Sequence, residues 1–178
     1  MQIVDNFLPT IYFNKLINIF EHGNEAMGNK FPWFWNDNTA YNDNNFMFSH
    51  MVWDITLGKI SAYFEALDPI VYFLDKYSPV EELSRMKLNL YTNQNKKILH
   101  AKHLDVIDND KKPIPNTTVC ILNFTDCNGG TIIDDKDYPS KANQALIFSN
   151  DLFHQGYAQT DKTKRIMLNI ATTNKINA

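Results

Sequence analysis

An α+β fold, with a helical first half laid against a sandwich or barrel of short strands, is what the sequence predicts. Three observations predict it. Apolar residues recur at helical spacing early in the chain, the period changes to two from Arg85 onward, and turn signals then return at short intervals. At 178 residues, with 44% hydrophobic and 21% charged side chains, the chain is sized for one domain with one substantial core. We therefore expect a single domain over 1–178, with 1–84 mainly helical support and 85–178 the strand core.

The first element lies within Asn6 to Gly23, where Ile11, Leu16, Ile17 and Phe20 form an apolar stripe, Pro9 and Thr10 open the helix and Gly23 closes it. An Asn-rich, aromatic stretch from Gly28 to Phe48 has no clean period and reads as loops with short strands. Helical patterns return from Asp54 to Leu67, and again after Asp68-Pro69, a pair suited to N-cap and N1. From Arg85, Met86, Leu88 and Leu90 fall on one side of a strand, and Arg85, Lys87, Asn89 and Tyr91 on the other. Further strands are expected over Thr117 to Phe124, Thr131 to Ile133, Ala145 to Phe148 and Arg165 to Thr172. Asp126-Cys127-Asn128-Gly129-Gly130 and Tyr138-Pro139-Ser140 supply turns between them.

Several function classes are disfavoured. A net charge of −3 gives no general electrostatic reason to bind nucleic acid or an anionic membrane. The start Met1-Gln2-Ile3-Val4-Asp5 lacks the pattern of a secretory signal, and no run approaches 18 apolar residues, so the expected location is the cytoplasm, or the host cytoplasm if the gene is a phage's. Cys120 and Cys127 are expected to be free thiols, Cys120 as a small buried hydrophobe. Gly129-Gly130 runs into Thr131-Ile132-Ile133 and not into a helix, so it is no phosphate loop, and no Ser nucleophile elbow is present.

Of the five histidines, only His103 stands two residues before an acid, Asp105, where strand geometry would put both side chains on one face. Read alone, that pair suits a surface loop running into Val106-Ile107-Asp108-Asn109-Asp110. Order and context add to it. About fifty residues later His154 follows an apolar strand, Arg165 comes eleven residues after it, and the Asn128-Gly129-Gly130-Thr131 turn lies between the two sites. Two imidazoles and one carboxylate on neighbouring strands can bind one face of a ferrous ion and leave the opposite positions open. His100 is a competing ligand; on a strand, three positions from His103, it would face the other way.

The ordered set of His103, Asp105, Asn128-Gly129-Gly130-Thr131, His154 and Arg165 resembles the 2-oxoglutarate and Fe(II)-dependent dioxygenases, in particular the prolyl-4-hydroxylase-like branch and its small phage-encoded members. Val4-Asp5-Asn6-Phe7-Leu8-Pro9 looks like that family's entry to its first helix, and Phe31-Pro32-Trp33-Phe34-Trp35 and Phe46-Met47-Phe48-Ser49-His50 resemble a block of the phage members. The resemblance implies a double-stranded β-helix, or jelly-roll, core with the N-terminal helices packed on one sheet. It implies that His103, Asp105 and His154 ligate Fe(II), that Arg165 pairs with the distal carboxylate of 2-oxoglutarate, and that Tyr91 hydrogen-bonds the cosubstrate. The implied reaction uses O2 and 2-oxoglutarate to hydroxylate a substrate C–H bond, releasing succinate and CO2. Asp105 favours hydroxylation over halogenation, since a halogenase leaves that position vacant for chloride.

One departure stands out. Many members carry Arg-x-Ser on the last strand, where this chain has Arg165-Ile166-Met167; Asn169 on the same face, or Tyr91, is the candidate replacement for the lost hydroxyl. The branch resembled makes a prolyl residue in a peptide or protein the first candidate substrate, with a small molecule such as a free amino acid, a nucleobase or a sugar still open. Two other classes remain: a cupin-like metal-binding protein, acting as an isomerase or sugar-binding module without 2-oxoglutarate, and an interaction domain that has kept the fold without the chemistry. The aromatic stretch reads either as core cover or as a lid stacking on substrate, and the charged Val106 to Pro115 segment as a loop able to order over substrate.

Overall fold

The structure, a computed structural model, describes residues 1–23, 30–41 and 43–175. Gly28, where the aromatic stretch begins, lies outside the described residues. The chain runs β1 (Gln2–Val4), α1 (Thr10–His22), β2 (Phe34–Asn36), β3 (Met47–Asp54), β4 (Gly58–Lys59), α2 (Phe64–Leu67), α3 (Pro69–Asp75) and β5 (Val80–Thr92). It continues with β6 (Thr117–Asn123), β7 (Gly130–Ile133), β8 (Lys136–Pro139), β9 (Ala145–Ser149), β10 (His154–Tyr157) and β11 (Lys164–Asn174). Eight strands form a major sheet in the order β1-β9-β6-β11-β5-β3-β2, with β4 on β3, and β10-β7-β8 form a minor sheet. All pairings among the described strands are antiparallel, so two facing sheets make the sandwich that the strand spacing predicts, in the jelly-roll form that the resemblance implies.

Helix α1 starts where Pro9 offers its carbonyl to the Phe13 N–H (3.0 Å) and ends where Gly23, at φ 70°, donates to Ile19 (2.8 Å). Its buried stripe is Phe13, Leu16 and Phe20, with Ile17 at the flank; Ile11, expected on that stripe, is 88% exposed. Phe13 stacks on Phe124 and Phe20 meets the same ring edge-on, with centroids 5.3 and 4.9 Å apart. The helices thus cover one face of the major sheet, where Met86, Leu88, Ile166, Leu168 and Ile170 complete the core. The opposite face, with Tyr91, Ile121 and Met167, packs with Ile133 of the minor sheet in a second apolar cluster.

The first half is less helical than predicted. Within 1–84 the structure has four strands and the start of β5 besides three helices, two of them short. The expected helix from Asp54 to Leu67 is instead the end of β3, a turn, β4 and the four-residue α2. Asp54 Oδ1 accepts the Thr56 N–H (2.9 Å) and Gly58 sits at φ 70°, so local turn chemistry overrides the helical spacing of the apolar residues. Pro69 opens α3 as expected, but Asp68 is itself helical and makes no side-chain cap. Among the described residues no helix is long and apolar enough to cross a membrane.

Candidate metal centre and anion pocket

Strands β5 and β11 pair along their whole lengths, setting Arg165 opposite Tyr91 and Asn169 opposite Lys87. With Met86 and Leu88 committed to the helix-covered core, Arg85, Lys87, Asn89 and Tyr91 must face the minor sheet. Arg165, Met167 and Asn169 project the same way from β11. The polar face of β5 is therefore the floor of an interior cleft and not a solvated surface. A cavity is lined there by Lys87, Asn89, Tyr91, His103, Asp105 and His154 among others.

His103 and His154 come together through their own backbones: the His103 N–H donates to the His154 carbonyl (2.8 Å) and the His154 N–H to the His103 carbonyl (3.0 Å). Asp105 follows on the same segment. One ligand atom from each of His103, Asp105 and His154 lies within 4.8 Å of the others. His154 Nε2 is 3.3 Å from one Asp105 oxygen and His103 Nε2 is 3.9 Å from the other.

The donor set fits a divalent cation. His103 Nδ1 donates to the Ala101 carbonyl (3.0 Å), which places the ring proton on that nitrogen and leaves Nε2 a bare lone pair. His154 Nδ1 faces the Leu152 carbonyl in the same sense, at 3.4 Å. Two imidazole lone pairs and a carboxylate thus converge, an arrangement of acceptors that repel each other unless a cation lies between them. Burial pushes the Asp105 carboxyl up, but the Arg85 guanidinium that donates to it holds it well below the usual range. Burial, helped by His154, pushes His103 down, so both groups sit in their ligating protonation states.

Residues beyond the triad hold it in place. Arg85 Nη2 donates to Asp105 Oδ1 (2.6 Å) and to Asn169 Oδ1 (2.9 Å), and Asn169 Nδ2 donates to Asp105 Oδ2 (2.9 Å). Asn169, expected at the cosubstrate, is thereby placed on the carboxylate of Asp105. Arg85 was legible only as one of the polar residues of β5, and nothing in the sequence pairs it with Asp105. His100 lies off any strand, so the argument that strand geometry turns it away does not apply; it nonetheless falls outside the triad, stacked on Tyr91 with centroids 5.1 Å apart. Both its ring nitrogens are buried without a hydrogen bond, and burial pushes its pKa down to about 4 despite Asp43 nearby (3.7 Å).

Arg165 is fully buried. Its Nη1 donates to the Gly130 carbonyl (2.8 Å) and its Nη2 to Thr131 Oγ1 (3.2 Å), while its guanidinium lies 5.6 Å from the centre of the Tyr91 ring. Among the described residues no carboxylate pairs with it, and its Nε is left without a partner. A buried guanidinium without a counter-ion is costly, and a ligand carboxylate would relieve that cost. The Gly-Gly turn serves this arrangement, because a Cβ on Gly130 would fall 2.5 Å from both the Tyr138 carbonyl and the Tyr157 hydroxyl. Tyr91 is buried, its ring lying between His100 and Arg165.

Part of the aromatic stretch is core cover. Phe31 is buried in the helix-side core with Trp33 against it, whereas Phe34, Trp35 and Tyr41 are exposed. Tyr41 approaches His103 edge-on (6.4 Å), and Thr39 and Ala40 line the cavity mouth. His50 is a structural residue, bonded to the Pro32 carbonyl (2.8 Å) and Ser61 Oγ (2.6 Å). The Val106 to Pro115 segment folds on itself through an Ile107–Pro113 bridge and is tied down by the Asn150 carboxamide, which accepts from the Val106 N–H (3.1 Å) and donates to its carbonyl (2.6 Å).

No family model and no curated protein sequence matches the chain. Solved structures do match. A viral collagen prolyl hydroxylase of Paramecium bursaria Chlorella virus-1, in complex with 2-oxoglutarate, superposes with a TM-score of 0.61 at 13% identity, over 98% of this chain and 96% of the other. The α-ketoglutarate-dependent epimerase SnoN of nogalamycin biosynthesis gives 0.63 at 12%, over 97% and 77%. A prolyl hydroxylase of Trichoplax adhaerens, bound to a hypoxia-inducible-factor peptide, gives 0.63 at 10%, over 97% and 83%. At these identities the likeness establishes the jelly-roll fold, and the chemistry must be argued from the site.

Proposed function

Proceeding from that fold and that site, we propose that the protein is an Fe(II)- and 2-oxoglutarate-dependent dioxygenase that hydroxylates an unactivated C–H bond. The observation that carries this reading is the convergence of His103, Asp105 and His154 beside a cavity backed by a buried guanidinium with no acid partner. Bound Fe(II) with 2-oxoglutarate would supply the oxidising chemistry, consuming O2 and releasing succinate and CO2. The protein's part is placement. His103, Asp105 and His154 would occupy one face of the ion and leave the cavity side for cosubstrate and O2. Arg165 would take the distal carboxylate in charge-assisted hydrogen bonds, with Thr131 and the Tyr91 hydroxyl beside it.

Two of the structures reported above are prolyl hydroxylases, and a prolyl ring is the first candidate substrate. The cupin-like alternative, which needs no dicarboxylate, leaves the buried charge of Arg165 without an anion. Purified protein supplied with Fe(II), 2-oxoglutarate and O2 should release succinate slowly even without substrate. His154→Ala and Asp105→Ala should lose that activity while keeping the circular dichroism of the parent. Unchanged succinate release in either variant refutes the assignment.

A further inference from the structure

Two side chains on the site face of β5 have no assigned task. Lys87 lines the cavity, and among the described residues no acid lies within ion-pair distance of its ammonium and no acceptor bonds it. Asn89, two residues on and on the same face, is 5% exposed, and its Oδ1 is buried with no hydrogen-bond donor. Positions i and i+2 of a strand stand about 6.6 Å apart. The cavity wall thus presents a cation and, beside it, an unsatisfied acceptor.

Charge balance points the same way. Arg85 already offsets Asp105, and Asp43 lies on the far side against His100. A ferrous ion, Arg165 and Lys87 would together bring four positive charges against Asp43 and the two carboxylates of 2-oxoglutarate. The loaded site would retain a surplus positive charge, located at Lys87. Burial, reinforced by Arg85 and only partly offset by Asp105, pushes the Lys87 ammonium down to about 8.

Resting on the oxygenase reading, we propose that the substrate is an α-amino or α-imino acid with a free carboxylate, which Lys87 binds while Asn89 Oδ1 accepts the adjacent N–H. The reacting C–H then lies a few bonds from that carboxylate. An internal prolyl residue of a peptide lacks both groups; a free amino acid or a carboxyl-terminal residue has the carboxylate.

The test uses protein loaded with Mn(II) and 2-oxoglutarate, which binds without turnover, in titration calorimetry. The probes are L-proline and a panel of free L-amino acids, each paired with its α-amide, and N-acetylated tripeptides with a free or amidated carboxyl terminus. At least one acid should bind 10-fold or more tighter than its amide, and the free or peptide arm in which this occurs identifies the source. Lys87→Met, close in volume, and Lys87→Gln should each weaken that acid by about 10–150-fold, the range for a hydrogen bond to a charged group. Lys87→Arg should restore part of the preference. Acids and amides binding alike, or not binding at all, overturns the inference, as does a larger loss in affinity for 2-oxoglutarate than for the acid probe. If the parent protein does not bind 2-oxoglutarate in the presence of Mn(II), the oxygenase reading falls and this one falls with it.

Discussion

Replacing Arg165 by Met removes the buried cation that, on the proposed reading, takes the distal carboxylate of 2-oxoglutarate. The guanidinium is fully buried and has no acid partner among the described residues, so its charge is available to a ligand. A hydrogen bond to a charged group is worth about 1.5–3 kcal/mol, or about 10–150-fold in affinity. At a 2-oxoglutarate concentration about 100 times the parent Kd, binding stabilises the parent by about 2.7 kcal/mol. For a domain of this size that raises Tm by about 5–11 °C, at about 2–4 °C per kcal/mol. The same concentration would stabilise Arg165→Met by only about 0.3–1.4 kcal/mol, a shift of about 1–6 °C. Differential scanning fluorimetry with Mn(II), with and without 2-oxoglutarate, reads both shifts. Equal shifts in the two proteins would refute the reasoning and return Arg165 to a structural role on the Gly130 and Tyr157 carbonyls.

Three further outcomes follow from the site. Asn169→Ala releases one oxygen of Asp105 and should weaken metal binding by about 10–100-fold with the fold intact, measured by Mn(II) titration. His100, pushed down to about 4 from an unfolded value near 6.5, is neutral in the folded chain while the unfolded chain takes up a proton. Its contribution is therefore fully present above pH about 6.5 and lost as pH falls toward 4; urea unfolding of the metal-free protein should show stability dropping in that window, less steeply in His100→Asn. Gly130→Ala forces a methyl to within 2.5 Å of two oxygen atoms and should cost about 1–3 kcal/mol by the same assay.

Much of the second half was legible because its strands are long and regular. The alternation of Met86, Leu88 and Leu90 against Arg85, Lys87, Asn89 and Tyr91 survives intact in β5, and the order of His103, Asp105, His154 and Arg165 is the order in which the site is built. Strand β3 was not legible, because a register shift between Met51 and Trp53 breaks the period-two pattern that would reveal it. Strands β8 and β10, of sequence Lys136-Asp137-Tyr138-Pro139 and His154-Gln155-Gly156-Tyr157, lack the apolar β-branched run that reveals the equally short β7. The polar face of β5 was visible, but its destination was not: sequence alternation separates apolar from polar, and cannot separate a wet face from one roofed by a second sheet. That is why Lys87 and the clamp of Arg85 and Asn169 on Asp105 emerge only in three dimensions.

The reciprocal main-chain pairing of His103 with His154 has a consequence for engineering. Because amide and carbonyl groups bring those two positions together, their proximity does not depend on which side chains they bear. A change of ligand chemistry at either position, such as His103→Asp or His154→Asp, would therefore be displayed at the same spacing on an undisturbed frame. The chain is accordingly a scaffold on which alternative coordination spheres can be compared with the geometry of the backbone held constant.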